Sequence, residues 1–237
     1  MFRLLKGAVK LSRVLETLGI SLSYTVLGIL IAIEENAIIE PYLLVLLLLT
    51  NIIAVISTFM INDVADAEDD GADAIKSKRN PVSAGIISKR EGLIITWGTI
   101  LIALALYASL GIRTFLIGLS IILVGYLYSW GKVRLKTKPP LDVLSHIYFL
   151  GIALTLTTFT TFGVISKSGI ILLVIIALTS VEVELKNGFR DYALDKETGV
   201  RTSVGVLGKK RTKYVRLINY FFLFIAITYL GTSLFLA

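Results

Sequence analysis

The sequence has no cysteine, a single histidine (His146), four prolines, and charge on only 17% of its 237 residues. Without cysteine there are no disulfides, thiolate metal sites or cysteine nucleophiles. One histidine excludes most zinc centres and serine–histidine catalysis. The shortage of charge accompanies an excess of apolar residues: 55% are hydrophobic and the mean hydropathy is +0.82. One soluble core cannot hide that much apolar surface, and it comes in long uncharged runs, so a soluble fold gives way to a chain that crosses a bilayer several times. Charged chemistry must therefore come from carboxylates, lysines and arginines.

Seven apolar runs stand out: about Leu18 to Ile33, Tyr42 to Ile61, Gly92 to Leu110, Thr114 to Trp130, Leu141 to Val164, Gly169 to Val183, and Leu217 to Ala237. Each is close to the ~20 residues that span about 30 Å of hydrocarbon as a helix. The expectation is an all-α, polytopic transmembrane bundle of seven helices. Arg3, Lys6, Lys10 and Arg13 precede the first run, and Glu34, Glu35 and Glu40 follow it where a signal peptide would have a small-residue cleavage site, so it reads as a retained helix. With the N-terminus in the cytoplasm, 22 of the 24 Lys and Arg residues lie in cytoplasmic segments, and only Arg113 and Lys167 lie outside. That bias predicts a multi-pass protein with a cytoplasmic N-terminus. The net charge of +7 is then a topological signal and no sign of a nucleic-acid partner.

Two segments on the same side concentrate acid where the topology asks only for base. The first continues the second run; Asn62, Asp66, Asp70 and Asp73, with Asp63 beside them, form one stripe if the helix continues. The second continues the sixth run, where Glu184, Asn187, Asp191 and Asp195 share a face. Like charges at this spacing repel, so a cation between them is expected. Mg²⁺ is the physical candidate, because it takes oxygen ligands and is usually held by one or two carboxylates plus substrate phosphates. Lys76, Lys78 and Arg79 follow the first stripe, and Arg190, Lys196 and Arg201 lie near the second. These cations suit a phosphate anion. An anion and metal site half in the bilayer points to a lipid diphosphate.

Asn62-Asp63-x-x-Asp66-x-x-x-Asp70 resembles the NDxxDxxxD signature of the UbiA-type intramembrane prenyltransferases. Asp191-x-x-x-Asp195, followed by Gly199 and Thr202, is similar to their second DxxxD motif, and Tyr128-x-x-x-Lys132 to the YxxxK of many members. The resemblance covers nearly the whole chain in order and spacing. It implies two related four-helix units around a central cavity, about 14–130 and 141–237, in a single transmembrane domain. The family usually has nine helices, so seven here imply that the second unit lacks its last helices, as a shortened form or a truncated sequence. Lys78-Arg79-Asn80-Pro81-Val82-Ser83-Ala84-Gly85 is close to the family's NRPxxSG with the first two residues exchanged.

The activity implied is transfer of a prenyl group from a polyprenyl diphosphate to a lipophilic aromatic or lipid acceptor. Mg²⁺ and basic residues assist diphosphate departure, and the acceptor attacks the cation-like prenyl C1. The implied roles are Asp63, Asp66, Asp70, Asp191 and Asp195 for the metal, Asn62, Lys78, Arg79, Arg190, Asn187 and Arg13 for the diphosphate, and Tyr128 and Lys132 in catalysis. Phe59, Tyr126, Tyr128 and Tyr148 are candidate wall residues for the cation.

Plainer readings stand beside these. Tyr128 and Lys132 also suit an interfacial anchor, Arg13 a snorkelling cation, His146 a packed side chain and Asp142 a helix N-cap. Gly7, Gly28, Gly98, Gly111, Gly118, Gly125 and Gly151 fit helix packing and turns. Two rival functions are a CDP-alcohol phosphotransferase, whose DGxxAR pattern fails because no Ala-Arg pair follows Asp70-Gly71-Ala72-Asp73, and a transporter or ion-binding protein. A transporter would hold its acids near the bilayer midplane, whereas these fall at predicted helix ends.

Overall fold

The structure is a computed structural model that describes residues 2–164 and 166–235, and every regular element among them is helical. A short amphipathic helix, α1 (Phe2–Ser12), precedes seven helices long and apolar enough to cross a bilayer. These are α2 (Val14–Glu34), α3 (Pro41–Ala65), α6 (Lys89–Ser109), α7 (Ile112–Ser129), a span joining α8 (Leu141–Ile147) to α9 (Ala153–Phe162), α10 (Lys167–Thr198) and α11 (Ser203–Phe235). Two short helices, α4 (Ala67–Gly71) and α5 (Lys76–Arg79), fill the loop after α3. Each of the seven runs expected from hydropathy falls on one of these spans, and α10 and α11 extend well beyond theirs. The end of the last run, Leu236 and Ala237, lies outside the described residues.

Local chemistry sets the boundaries. Pro41 occupies the first turn of α3, where its missing N–H costs nothing. Ser88 and Glu91 close a capping box at the start of α6, and the Ser166 hydroxyl caps Gly169 at the start of α10. Arg13 breaks α1 from α2 with φ 45°, a left-handed conformation uncommon for a residue with a side chain. A π-helical turn, Tyr148–Ile152, joins α8 to α9. One extra residue in that turn rotates Phe149 and Leu150 relative to the helix before it.

The core is apolar with a polar lock inside it. Ala54, Val55, Ile100, Tyr107, Ile121 and Leu154 cluster between α3, α6, α7 and α9. The Tyr107 ring lies so close to Gly118 that a Cβ there would stand 2.2 Å from it, so only glycine lets α6 and α7 approach this way. Near the middle of α3, the Asn51 amide donates to Thr25 Oγ1 at 2.9 Å and to the Leu154 carbonyl at 3.5 Å. Its oxygen accepts from Tyr107 at 2.7 Å and Thr157 at 3.1 Å. All four hydrogen-bonding positions of the amide are used, so this buried polar group binds four helices together without an orphan.

α11 packs on α10, held by Arg216 on Glu182 and by Asn219 donating to the Leu178 carbonyl at 2.9 Å. Asp142 departs from the expected N-cap role. Pro140 holds the cap position of α8, and the buried Asp142 carboxylate instead accepts from the Ser203 backbone N–H at 2.6 Å and from its hydroxyl. It thus satisfies donors at the start of α11, 61 residues later.

Candidate active site

The carboxylates at the end of α3 go to different places. The single stripe expected on a continuous helix is corrected here, because α3 stops at Ala65 and Asp66 has non-helical φ −91° and ψ 4°. The backbone bonds Asp66 N to Asn62 O and Asp70 N to Asp66 O bridge the break, so Asp66 and Asp70 still reach one cavity. Asp63 turns inward and is fully buried. Its Oδ1 lies 3.5 Å from Arg13 Nη1 and 3.9 Å from Arg79 Nη2, and neither carboxylate oxygen has a hydrogen-bond partner among the described residues.

Asp66 is paired by Lys136 and, at 3.4 Å, by Arg134, which also reaches Asp69 at 2.9 Å. Asn80 Nδ2 donates to Asp70 Oδ2 at 3.0 Å and to the Asp63 carbonyl at 2.6 Å, pinning the loop beneath both acids. Asn62 Oδ1 accepts from Ser129 at 3.0 Å and Lys136 at 3.4 Å. Asp73 is a local turn cap: the backbone N–H groups of Lys76 and Ile75 donate to it and hold its carboxyl below the usual range.

The facing wall is built by one helix. α10 continues far beyond its apolar portion and presents Asn187, Arg190, Asp191 and Asp195 to the cavity. Gly199, at φ 72°, ends it in the left-handed conformation glycine adopts without strain. The chain then folds back, so that Thr202 Oγ1 donates to Asp195 Oδ2 at 3.2 Å. Arg190 Nε stands 3.2 Å from Asp191 Oδ1 with most of its side chain exposed.

Both walls enclose one cavity of about 760 Å³. Its mouth carries Asp66, Asp70, Asp191 and Asp195 with Lys76, Lys136, Arg190 and Arg13, and its inner part is lined by Phe59, Tyr128, Phe149 and Leu150. Arg13 lies over the Phe59 ring at 4.6 Å from the centroid.

Several expected site residues do not line the cavity. Asp63 lies behind the wall, and Arg79 approaches it there. Lys78 contributes only its carbonyl, to Lys10 at 3.1 Å. Lys132 is exposed: α7 ends at Ser129 and Gly131 turns the chain at φ 68°, so Tyr128 and Lys132 share no helical face. Tyr126 stacks between Trp97 and Trp130 in a separate cleft, and Tyr148 is hydrogen-bonded to Ser120 at 2.7 Å. Sequence reasoning missed Lys136, Arg134 and Asn80. Asn80 sat inside a motif noted for its cations, while Lys136 and Arg134 follow no helical spacing.

Residues 21–237 match the UbiA prenyltransferase family. The chain belongs to it. UbiA relatives include the digeranylgeranylglyceryl phosphate synthase of Korarchaeum cryptofilum, 37% identical over 158 residues, which cover 64% of this chain and 52% of that protein. The 4-hydroxybenzoate octaprenyltransferase of Nitrosomonas eutropha is 27% identical over 195 residues, 82% of this chain and 66% of that protein. This UbiA chain thus spans about half the length of the first relative and about two thirds of the second. A solved UbiA homologue from Archaeoglobus fulgidus, bound to GPP and Mg²⁺, superposes with a TM-score of 0.82 at 23% identity, over 96% of this chain and 78% of that one. The shared fold and the seven apolar helices make this UbiA chain an integral membrane protein.

The residues present fit a hard divalent ion. The donors on both walls are oxygens, and the buried Asp63 carboxylate, without a hydrogen-bond donor, adds negative charge behind Asp66. Among the described residues no three acidic or histidine side chains are gathered tightly enough to hold an ion unaided. Mg²⁺ does not require that, because substrate phosphates and water complete its shell.

Proposed function

We propose that this chain is an integral-membrane prenyltransferase that moves a prenyl group from a polyprenyl diphosphate to a lipophilic acceptor. One observation carries the reading: Asp66 and Asp70 on one side and Asp191 and Asp195 on the other line a single cavity whose inner part is apolar and aromatic. A molecule that is anionic at one end and hydrocarbon at the other fits that gradient. The relatives' names, a digeranylgeranylglyceryl phosphate synthase and a 4-hydroxybenzoate octaprenyltransferase, support the same class.

Asp66, Asp70, Asp191 and Asp195 would hold Mg²⁺, with the buried Asp63 setting the field behind them. When bound, the ion neutralises charge on the departing diphosphate. Lys136, Lys76, Arg13 and Arg190 face the same space and bind diphosphate oxygens, the arginines through paired N–H groups. Asn62 and Asn187 orient the anion by hydrogen bonds. The allylic C1–O bond breaks with its electron pair leaving on the diphosphate, and positive charge develops at C1. The rings of Phe59, Tyr128 and Phe149 line the inner cavity, where they would stabilise that charge and exclude water that would otherwise hydrolyse it. The acceptor then attacks C1. The positive-inside bias supports a cytoplasmic N-terminus and a cytoplasmic opening for the cavity.

The purified protein, incubated with prenyl diphosphates of several lengths and lipid-extracted acceptors, is expected to release diphosphate and give prenylated products by mass spectrometry. Chelating Mg²⁺ should stop both. Absence of diphosphate release across the panel refutes the reading.

A further inference from the structure

Holding and ionising the diphosphate leaves unused a polar cluster deeper in the same cavity. Glu184 lies seven residues before Asp191 on α10, about 10 Å along the axis toward the hydrocarbon. Tyr128 donates from its hydroxyl to Glu184 Oε1 at 3.3 Å, and His146 Nε2 stands 3.5 Å from Glu184 Oε2. His146 Nδ1 is buried with no hydrogen-bond partner among the described residues. Phe149 packs on both rings, 5.4 Å from Tyr128 and 6.2 Å from His146 between centroids. Three helices thus converge to hold one carboxylate among aromatic and aliphatic side chains, where a charge is costly without a task or a cation. No lysine or arginine lies within salt-bridge distance of Glu184 among the described residues.

Resting on the prenyltransferase reading above, we propose that Glu184 acts as the base that removes the hydroxyl proton of an alcohol acceptor. If the diphosphate lies between the aspartate walls, its prenyl C1 falls at the inner edge of the mouth, beside Phe59 and Glu184. In the step, the acceptor oxygen forms its bond to C1 and the C1–O bond to diphosphate breaks with its electron pair. The acceptor proton passes to a Glu184 oxygen and leaves to solvent after product release. Tyr128 and His146 are positioning residues: the first fixes one carboxylate oxygen, and the second stands by the other through Nε2.

The test uses the full chain with Mg²⁺, a prenyl diphosphate and two acceptors, a glycerol-lipid alcohol and a long-chain primary alcohol, each beside its O-methyl ether. Glu184→Gln should lower kcat by ~10²- to 10⁴-fold, the usual worth of a general base, with the donor KM changed by less than about threefold. The Mg²⁺-dependent rise in thermal midpoint on adding the prenyl diphosphate should survive in this variant, which also shows that it folds. Glu184→Asp should regain at least about tenfold over the glutamine variant, and Tyr128→Phe and His146→Gln should each lower kcat about tenfold without moving the donor KM. The methyl ethers should not be prenylated. Full turnover by Glu184→Gln, or loss of its donor-induced stabilisation together with turnover, overturns the assignment of Glu184 while the prenyltransferase reading stands. A native protein that neither binds nor consumes any prenyl diphosphate overturns both.

Discussion

The two acidic walls of the cavity are similar in sequence and unlike in structure. The first is tied down where it lines the cavity: Asp66 by Lys136 and Arg134, and Asp70 by Asn80. The second rides on an uninterrupted helix whose tip is largely exposed, where among the described residues Asp191 pairs only with its neighbour Arg190 and Asp195 with a threonine. A carboxylate held by fixed donors keeps its place without ligand, so the first wall is preorganised for a cation. The second must be drawn in by what it binds. The same motif chemistry therefore divides into a rigid half and a responsive half.

The largest expected effect tests whether both halves share one substrate. Asp66→Ala and Asp191→Ala should each lower prenyl transfer by at least ~10²-fold, read as diphosphate release, since each removes a carboxylate proposed to hold the Mg²⁺ that would neutralise the leaving group. Near-native turnover by either would break the pairing of the walls. Stability should separate them next. Asp63→Ala removes a fully buried side chain but leaves Arg13 on Glu16 and Arg79 partly in solvent, so it should cost about 1–2 kcal/mol, seen as a lower thermal midpoint in detergent. Asp191→Ala should stay within about 0.5 kcal/mol. Equal losses would mean that the first wall is no more rigid than the second. Lys136→Met should raise the donor KM about tenfold while Lys132→Met leaves it unchanged, because only Lys136 reaches Asp66. The smallest effect belongs to Arg190→Ala, about threefold in donor KM, since its side chain is 73% exposed and water already screens it.

How much was legible beforehand follows from the range of each interaction. The spans were readable because hydropathy is a property of about 20 consecutive residues, and α3, α6 and α7 begin and end within a few residues of the apolar runs. That two aspartate motifs border one cavity was readable from their positions at helix ends and from the family resemblance. The roles within the first motif were not. Helical spacing treats Asp63 and Asp66 as neighbours on one face, but Asp63 packs into the interior while Asp66, where α3 ends, stays on the wall. Spacing likewise paired Tyr128 with Lys132, although the helix had already ended. The lysine that reaches the acids comes from the following turn, 70 residues from its partner.

By itself the sequence determined that this chain is a seven-span membrane protein of the UbiA family with its acids gathered at helix ends, because spacing, hydropathy and motif are local and survive without coordinates. Tertiary structure decided the rest: the amide of Asn51 joining four helices, Lys136 and Arg134 on Asp66, Asn80 beneath Asp70, and Tyr128, His146 and Glu184 meeting under the cavity mouth. Each of these contacts joins segments brought together only by helix packing. Their partners are chosen by which buried polar groups must find one another once water is excluded.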